Sequence, residues 1–146
     1  MTKTPKVLFL ARGNASRGHI AEGYLRTLAG DKIIPFSAGT EGADVSPIVK
    51  EVMSEDGIDI SQQQSHDIPS LFRESFQYVV VLCDEQRERY PLFPFARKPI
   101  HWSIPDPETV ESNPEMKKEA FRTVRNEVRT RVKELLKSID QSTTTA

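Results

Sequence analysis

Apolar positions along this chain follow two rhythms. Short unbroken apolar runs alternate with longer stretches in which apolar residues return every three or four positions. Val7-Leu8-Phe9-Leu10 is continuously apolar, the pattern of a strand covered on both faces. Lys32-Ile33-Ile34-Pro35-Phe36-Ser37 reads as a second strand, and Pro35, which has no N–H to give a ladder, predicts that it lies at a sheet edge. Tyr78-Val79-Val80-Val81-Leu82 is the densest β-branched run and predicts a third strand. Pro99-Ile100-His101-Trp102, after a proline-rich stretch, predicts a shorter fourth.

The helical rhythm fills the gaps between these runs. Ile20, Tyr24, Leu25 and Leu28 fall on one helical face, and Gly30 stands where that helix should stop. Ser46-Pro47 is a start signal, a capping hydroxyl followed by proline at the first helical position. Ile48, Val52 and Met53 behind it predict an inner face, with Gly57 as terminator. Phe121, Val124, Val128, Val132, Leu135 and Ile139 predict one amphipathic helix over 114–139. Strands separated by helices give a parallel sheet with right-handed crossovers, so the fold class is α/β. Ligands of such sheets bind beyond the carboxyl ends of the strands, which points to the segments after Leu10, Leu82 and Trp102.

Composition narrows the picture further. A chain of 146 residues suits one domain, expected over 1–139, with 140–146 as a frayed tail. A net charge of −1 argues against a protein that coats nucleic acid, so no nucleic-acid partner is expected. The apolar runs are too short to span a membrane, and polar residues 1–6 precede only four apolar ones, unlike a secretory signal. A cytoplasmic protein without a membrane partner is the expectation. Cys83 is the one cysteine, which removes any internal disulfide framework. His19, His66 and His101 are scattered without ligand spacing, so neither a metal nor another cofactor is expected.

The richest chemistry lies after the first strand. Ala11-Arg12-Gly13-Asn14-Ala15-Ser16-Arg17-Gly18 joins a strand directly to a helix. Gly13 and Gly18 permit positive φ and Asn14 tolerates it, so backbone N–H groups can turn inward as a nest for an anion. The helix beginning near Arg17 adds its unpaired N–H groups, and Arg17 can clamp an oxyanion with its guanidinium fork. An ordinary glycine-containing βα loop with solvated arginines fits the same spacing.

These residues carry a family resemblance. Val7–Arg17 followed by Ala21-Glu22-Gly23 resembles the phosphate loop of the low-molecular-weight protein tyrosine phosphatase superfamily, which includes thiol-coupled arsenate reductases. Ser37-Ala38-Gly39-Thr40 is similar to the family segment after the second strand. Val79-Val80-Val81-Leu82-Cys83-Asp84 resembles the third strand and its exit, and His101-Trp102-Ser103-Ile104-Pro105-Asp106-Pro107 the loop of the catalytic aspartate. The His-Trp pair and Leu-Cys-Asp resemble the arsenate reductase branch more closely. The resemblance implies a three-layer sandwich around a four-stranded parallel sheet in the order 2-1-3-4. It further implies that residues 12–18 cradle arsenate, phosphate or a phosphotyrosine, that Arg17 clamps it, and that Asp106 is the general acid.

The departures bear on function. The resemblance places the nucleophilic cysteine at the position held here by Ala11, and a methyl group forms no thiophosphate or thio-arsenate intermediate. Gly18 stands where a hydroxyl residue usually supports the thiolate, and Ser16 where many members carry a second cysteine. Tyr90 occupies the position of the outer relay cysteine. The chain as written is therefore expected to bind but not to turn over. Two origins fit Ala11: a substitution introduced to trap the anion, or an inherited loss that leaves a non-catalytic phosphate- or phosphotyrosine-binding pseudoenzyme. With a cysteine restored, a small thiol donor suits the sequence better than a three-cysteine relay.

Cys83 is a possible redox residue by resemblance, while its position at a strand end suits a buried small apolar residue equally. Arg12 is an extra cation for the cradle or a solvated side chain. Trp102, Phe93 and Phe95, with Pro91 and Pro94, are expected to pack a loop beside the site.

Overall fold

A computed structural model describes residues 4–11, 16–39, 46–63, 66, 68–71, 73–83, 99–110 and 113–144, with 68 and 140–144 described by backbone alone. Strand β1 is Lys6–Ala11, β2 Ile34–Gly39, β3 Tyr78–Cys83 and β4 Ile100–Ser103. They form one parallel sheet in the order β2-β1-β3-β4, the order that the resemblance implied. The register sets Phe9 of β1 between Ser37 and Val80, and Leu82 of β3 beside Trp102 of β4.

The central strands β1 and β3 feed both faces of the sheet, which is why their runs are apolar throughout. Val7, Phe9, Val80, Leu82 and Trp102 face helices α1 (Ser16–Ala29), α2 (Pro47–Ser54) and α3 (Pro114–Thr144) in the larger core. Leu8, Leu10, Ala38, Val79, Val81 and Cys83 face the other way, against Leu71 of the short 3-10 turn Ile68–Leu71 and against Phe36 and Phe76. Each large side chain buried in these layers stabilises the fold by roughly 1.5–3 kcal/mol.

Pro35 sits in the edge strand, as expected. The N–H of Ile34 donates to Pro5 O toward β1 at 2.9 Å, so the alternation turns position 35 outward, where its missing N–H is no loss. The next outward carbonyl, of Ser37, accepts from the His66 N–H at 3.1 Å, so that part of the edge is covered. Strand β2 begins at Ile34 rather than Lys32, because Gly30–Lys32 forms a 3-10 turn entered through Gly30 at φ +58°. Among the described residues only Gly30 and Gly57 are glycines with positive φ.

Helix α2 starts and stops as its sequence directs. The Ser46 hydroxyl accepts from the Val49 N–H, and Pro47 takes the first turn. At the other end, Gly57 (φ +76°) donates to Ser54 O and Ile58 donates to Met53 O, a Schellman closure that only a left-handed residue permits without strain. Val49, Val52 and Met53 make its inner face, and Ile48 is only half-buried. Leu28, expected inside, is 42% exposed, and Ala21 and Ala29 pack in the core of α1 instead.

All six apolar positions of the α3 stripe are buried. Asn113 caps this helix by accepting from the Met116 N–H, and the helix runs to Thr144 rather than ending at 139. Ion pairs fasten it to the end of α2: Glu55 meets Arg122 and Arg125 at 2.8 and 2.7 Å, and Asp56 meets Arg129 at 2.9 Å. Hydrogen bonds from Arg122 and Arg125 pull the Glu55 carboxyl down to about 2. The Tyr24 hydroxyl donates to Asp56, holding that carboxyl below its usual range; burial and the same bond push the Tyr24 phenol upward. No helix among the described residues is long and apolar enough to cross a membrane.

Candidate functional site

The carboxyl ends of β1, β3 and β4 gather the residues singled out by the sequence. Ala11 is the last residue of β1, fully buried, and α1 opens at Ser16. Arg12, Gly13, Asn14 and Ala15 lie outside the described residues, as do Thr40, Asp84, Tyr90, Phe93 and Phe95. The loop expected to cradle an anion is thus described at its two ends, by Ala11 and by Ser16, Arg17 and Gly18.

Arg17 is the best-defined part of the site. Its side chain is 1% exposed, one of the largest fully buried side chains in the structure. One guanidinium nitrogen donates to the Ile104 carbonyl at 2.9 Å, and another stands 3.8 Å from Asp106 Oδ2. A guanidinium can be kept this deep only when its donors are met by acceptors, and the β4–α3 segment supplies the Ile104 carbonyl and the nearby Asp106 carboxylate. Arg17 and Asp106, far apart in sequence, therefore meet across the mouth of the sheet. Asp106 is placed by local geometry: Oδ1 accepts from the Glu108 N–H at 3.0 Å, capping the 3-10 turn Pro107–Thr109.

Gly18 serves packing rather than positive φ. It lies within α1, and a Cβ there would come 3.3 Å from Phe9 O, 3.4 Å from Ser37 Cβ and 3.8 Å from Ala11 Cβ. The small residue lets the first turn of α1 rest directly on β1 and β2. Ser37, Ala38 and Gly39 are part of β2 rather than a segment after it. Trp102 is a core residue, its ring 5.9 Å from Phe9.

Two polar groupings had no sequence signal. Cys83 is buried, and its Sγ stands 3.0 Å from His101 Nε2, a pairing that only the β3–β4 register reveals. At the α1–β2 contact, the buried Ser37 hydroxyl donates to Glu22 Oε1 at 2.7 Å and lies 3.4 Å from His19 Nδ1. Arg26 neutralises Glu22 from the next turn at 2.6 Å. Alternation in β2 puts Ser37 inward, but nothing in the sequence tells which helix residue meets it. Among the described residues no three His, Cys, Asp or Glu side chains cluster as metal ligands.

Comparison with known proteins agrees with this architecture. The family model described as low molecular weight phosphotyrosine protein phosphatase matches residues 6–145. An arsenate reductase of Halalkalibacterium halodurans is 36% identical over 127 residues, 87% of this chain and 91% of that protein. A glutaredoxin arsenate reductase of Synechocystis is 34% identical over 134 residues, 92% of this chain and 98% of its own. A solved arsenate reductase in a phosphate-binding state superposes with a TM-score of 0.76 at 32% identity, covering 92% of this chain and 98% of that one. On the family match, these relatives and the shared sheet order, the chain belongs to the low molecular weight phosphotyrosine protein phosphatase family, among relatives that are arsenate reductases.

Proposed function

We propose that this chain holds a tetrahedral oxyanion, arsenate or phosphate, in the loop 12–18, and that Ala11 leaves it without turnover. The observation that carries the reading is the buried Arg17 guanidinium, set between the Ile104 carbonyl and Asp106 at the ends of the strands. A buried cation beside a helix N-terminus attracts an anion through charge, through donor geometry and through the helix dipole together. The solved relative in its phosphate-binding state supports the same choice of ligand.

Asp106 is the inherited acid of this reading. Its carboxyl stands 3.8 Å from the guanidinium that would clamp the anion, and in this reading it gives its proton to the leaving oxygen. The missing part is the nucleophile. Attack on phosphorus or arsenic needs an electron pair at the end of β1, and the Ala11 methyl group has none.

Loss of the thiolate need not weaken binding. A thiolate about 4 Å from an anionic oxygen would repel it by roughly 4 kcal/mol at an effective dielectric near 20, and Ala11 removes that term. If a cysteine is restored at position 11, the name of the Synechocystis relative supports a glutaredoxin or small thiol as reductant. Tyr90 supports this over a three-cysteine relay, having no sulfur to pass a disulfide outward.

The second reading is a non-catalytic module that keeps a phosphate or phosphotyrosine without cleaving it, and Ala11 is the residue that favours it. Calorimetric titration of the unaltered chain with phosphate, arsenate and a phosphotyrosine peptide separates these possibilities. Saturable one-to-one binding of either inorganic anion is expected. Binding of the peptide alone would favour the module, and binding of none would sink both readings.

A further inference from the structure

The segment that carries Asp106 touches α1 twice, through two consecutive helix residues. Arg17 meets Ile104 O and Asp106, as described. Ser16, the first residue of α1, donates its hydroxyl to Glu108 Oε1 at 3.1 Å. The other carboxylate oxygen of Glu108 lies 3.6 Å from Lys117 Nζ on the first turn of α3. The backbone N–H of Glu108 is the donor that fixes Asp106 Oδ1. One residue thus binds the acid through its main chain, and binds both flanking helices through its side chain.

We infer that Glu108 is a positioning residue: its bridge between Ser16 and Lys117 docks the Asp106 turn against the mouth of the oxyanion loop. The inference rests on the oxyanion reading above. The turn Pro107–Thr109 follows a segment that Arg17 already holds at Ile104 O and Asp106. Its own hydrogen bonds are local, from Thr109 N and Oγ1 to Asp106 O and from Val110 N to Pro107 O, so they shape the turn without aiming it. Pro107 is its buried residue, and Thr109 is exposed. The side-chain bridge adds a second tether, beyond Arg17, that ties the turn to α1 and α3. Ser16 supplies the more directional half, a hydrogen bond to a carboxylate. The Lys117 contact is long and partly exposed and contributes less.

The test uses the unaltered chain first. Amide hydrogen exchange at Glu108, Thr109 and Val110 reports how often the turn leaves its dock. Glu108→Ala and Ser16→Ala should each speed exchange there by roughly three- to tenfold, the effect of one such hydrogen bond. The double variant should be no faster than Glu108→Ala, which already removes the Ser16 contact. Glu108→Gln keeps the acceptor for Ser16 and should stay near the parent. Unchanged exchange in both single variants, or effects that simply multiply, overturns the latch.

The second readout separates positioning from mere stability. In the Ala11→Cys background, Glu108→Ala should slow phenyl phosphate at least several-fold more than p-nitrophenyl phosphate, whose leaving group needs little protonation. Equal slowing of both esters overturns the positioning role even if exchange has changed. So does an Ala11→Cys chain that is silent on both esters while the parent still titrates phosphate. A parent that binds no phosphate sinks the oxyanion reading and the positioning role together, whatever the exchange rates.

Discussion

Replacing Arg17 by lysine keeps the charge and removes the fork, and the structure assigns a cost to each of two observables. In the folded protein the guanidinium donates to Ile104 O at 2.9 Å in a site 1% exposed to solvent. A lysine on its shorter, single-pointed head cannot meet that carbonyl, Asp106 and an anion together. Leaving the buried carbonyl unpaired costs about 1–3 kcal/mol. For a domain near this size that is a fall in melting temperature of roughly 3–10 °C. The anion loses one charge-assisted hydrogen bond, about 1.5–3 kcal/mol, or roughly a 10- to 150-fold weaker dissociation constant for phosphate. Thermal melting with and without phosphate, together with calorimetric titration, reads both numbers from one sample. An Arg17→Lys chain that binds phosphate within threefold of the parent would refute the clamp. Unchanged melting would refute the buried contact to Ile104.

Gly57→Ala puts a side chain at φ +76° in the Schellman closure and should cost about 1–2 kcal/mol, read as a lower urea midpoint at unchanged slope. Gly23→Ala gains helix propensity, yet its Cβ would meet Ile60 Cγ2 at 2.8 Å and Met53 Cε at 3.0 Å, so a net loss of about 1 kcal/mol is expected by the same assay. The Glu55 carboxyl is held at about 2, below its ordinary 4.5, by hydrogen bonds from Arg122 and Arg125. Its contribution is therefore complete above pH 4.5 and disappears as the pH falls toward 2. Chemical denaturation across that window should show a shallower acid loss in Glu55→Gln than in the parent; identical slopes would contradict the pairing.

Much of this molecule is legible in its sequence because the signals are local. The β1 and β3 runs, the Ser46-Pro47 start, the Gly57 stop and the α3 stripe each depend on residues a few positions apart, and each appears in the structure. Errors fall where a neighbour decides. Leu28 has the right spacing for the α1 core, but that edge of the helix faces solvent. Gly18 reads as a residue for positive φ, whereas its place against Phe9 O and Ser37 calls for lack of bulk. Lys32 and Ile33 read as strand until the turn at Gly30 displaces the start to Ile34.

The site divides in the same way. Arg17 and Asp106 are legible through loop composition and family likeness. Their 3.8 Å approach comes from packing β4 beside β3 and the following turn against α1. Glu108, His101 and the Glu22–Ser37 pair are ordinary residues in sequence, and their contacts with Ser16, with Cys83 and with each other join positions distant along the chain.

The central claim is an oxyanion cradle that still binds but lacks its nucleophile. Its most direct test is turnover by Ala11→Cys beside the unaltered chain, each offered an aryl phosphate and, separately, arsenate with glutaredoxin and glutathione. The account predicts no turnover by the parent and measurable turnover by the variant in at least one of the two reactions, the accepted substrate naming the chemistry. A folded Ala11→Cys chain that is silent in both, or a parent that turns over either substrate, would contradict it.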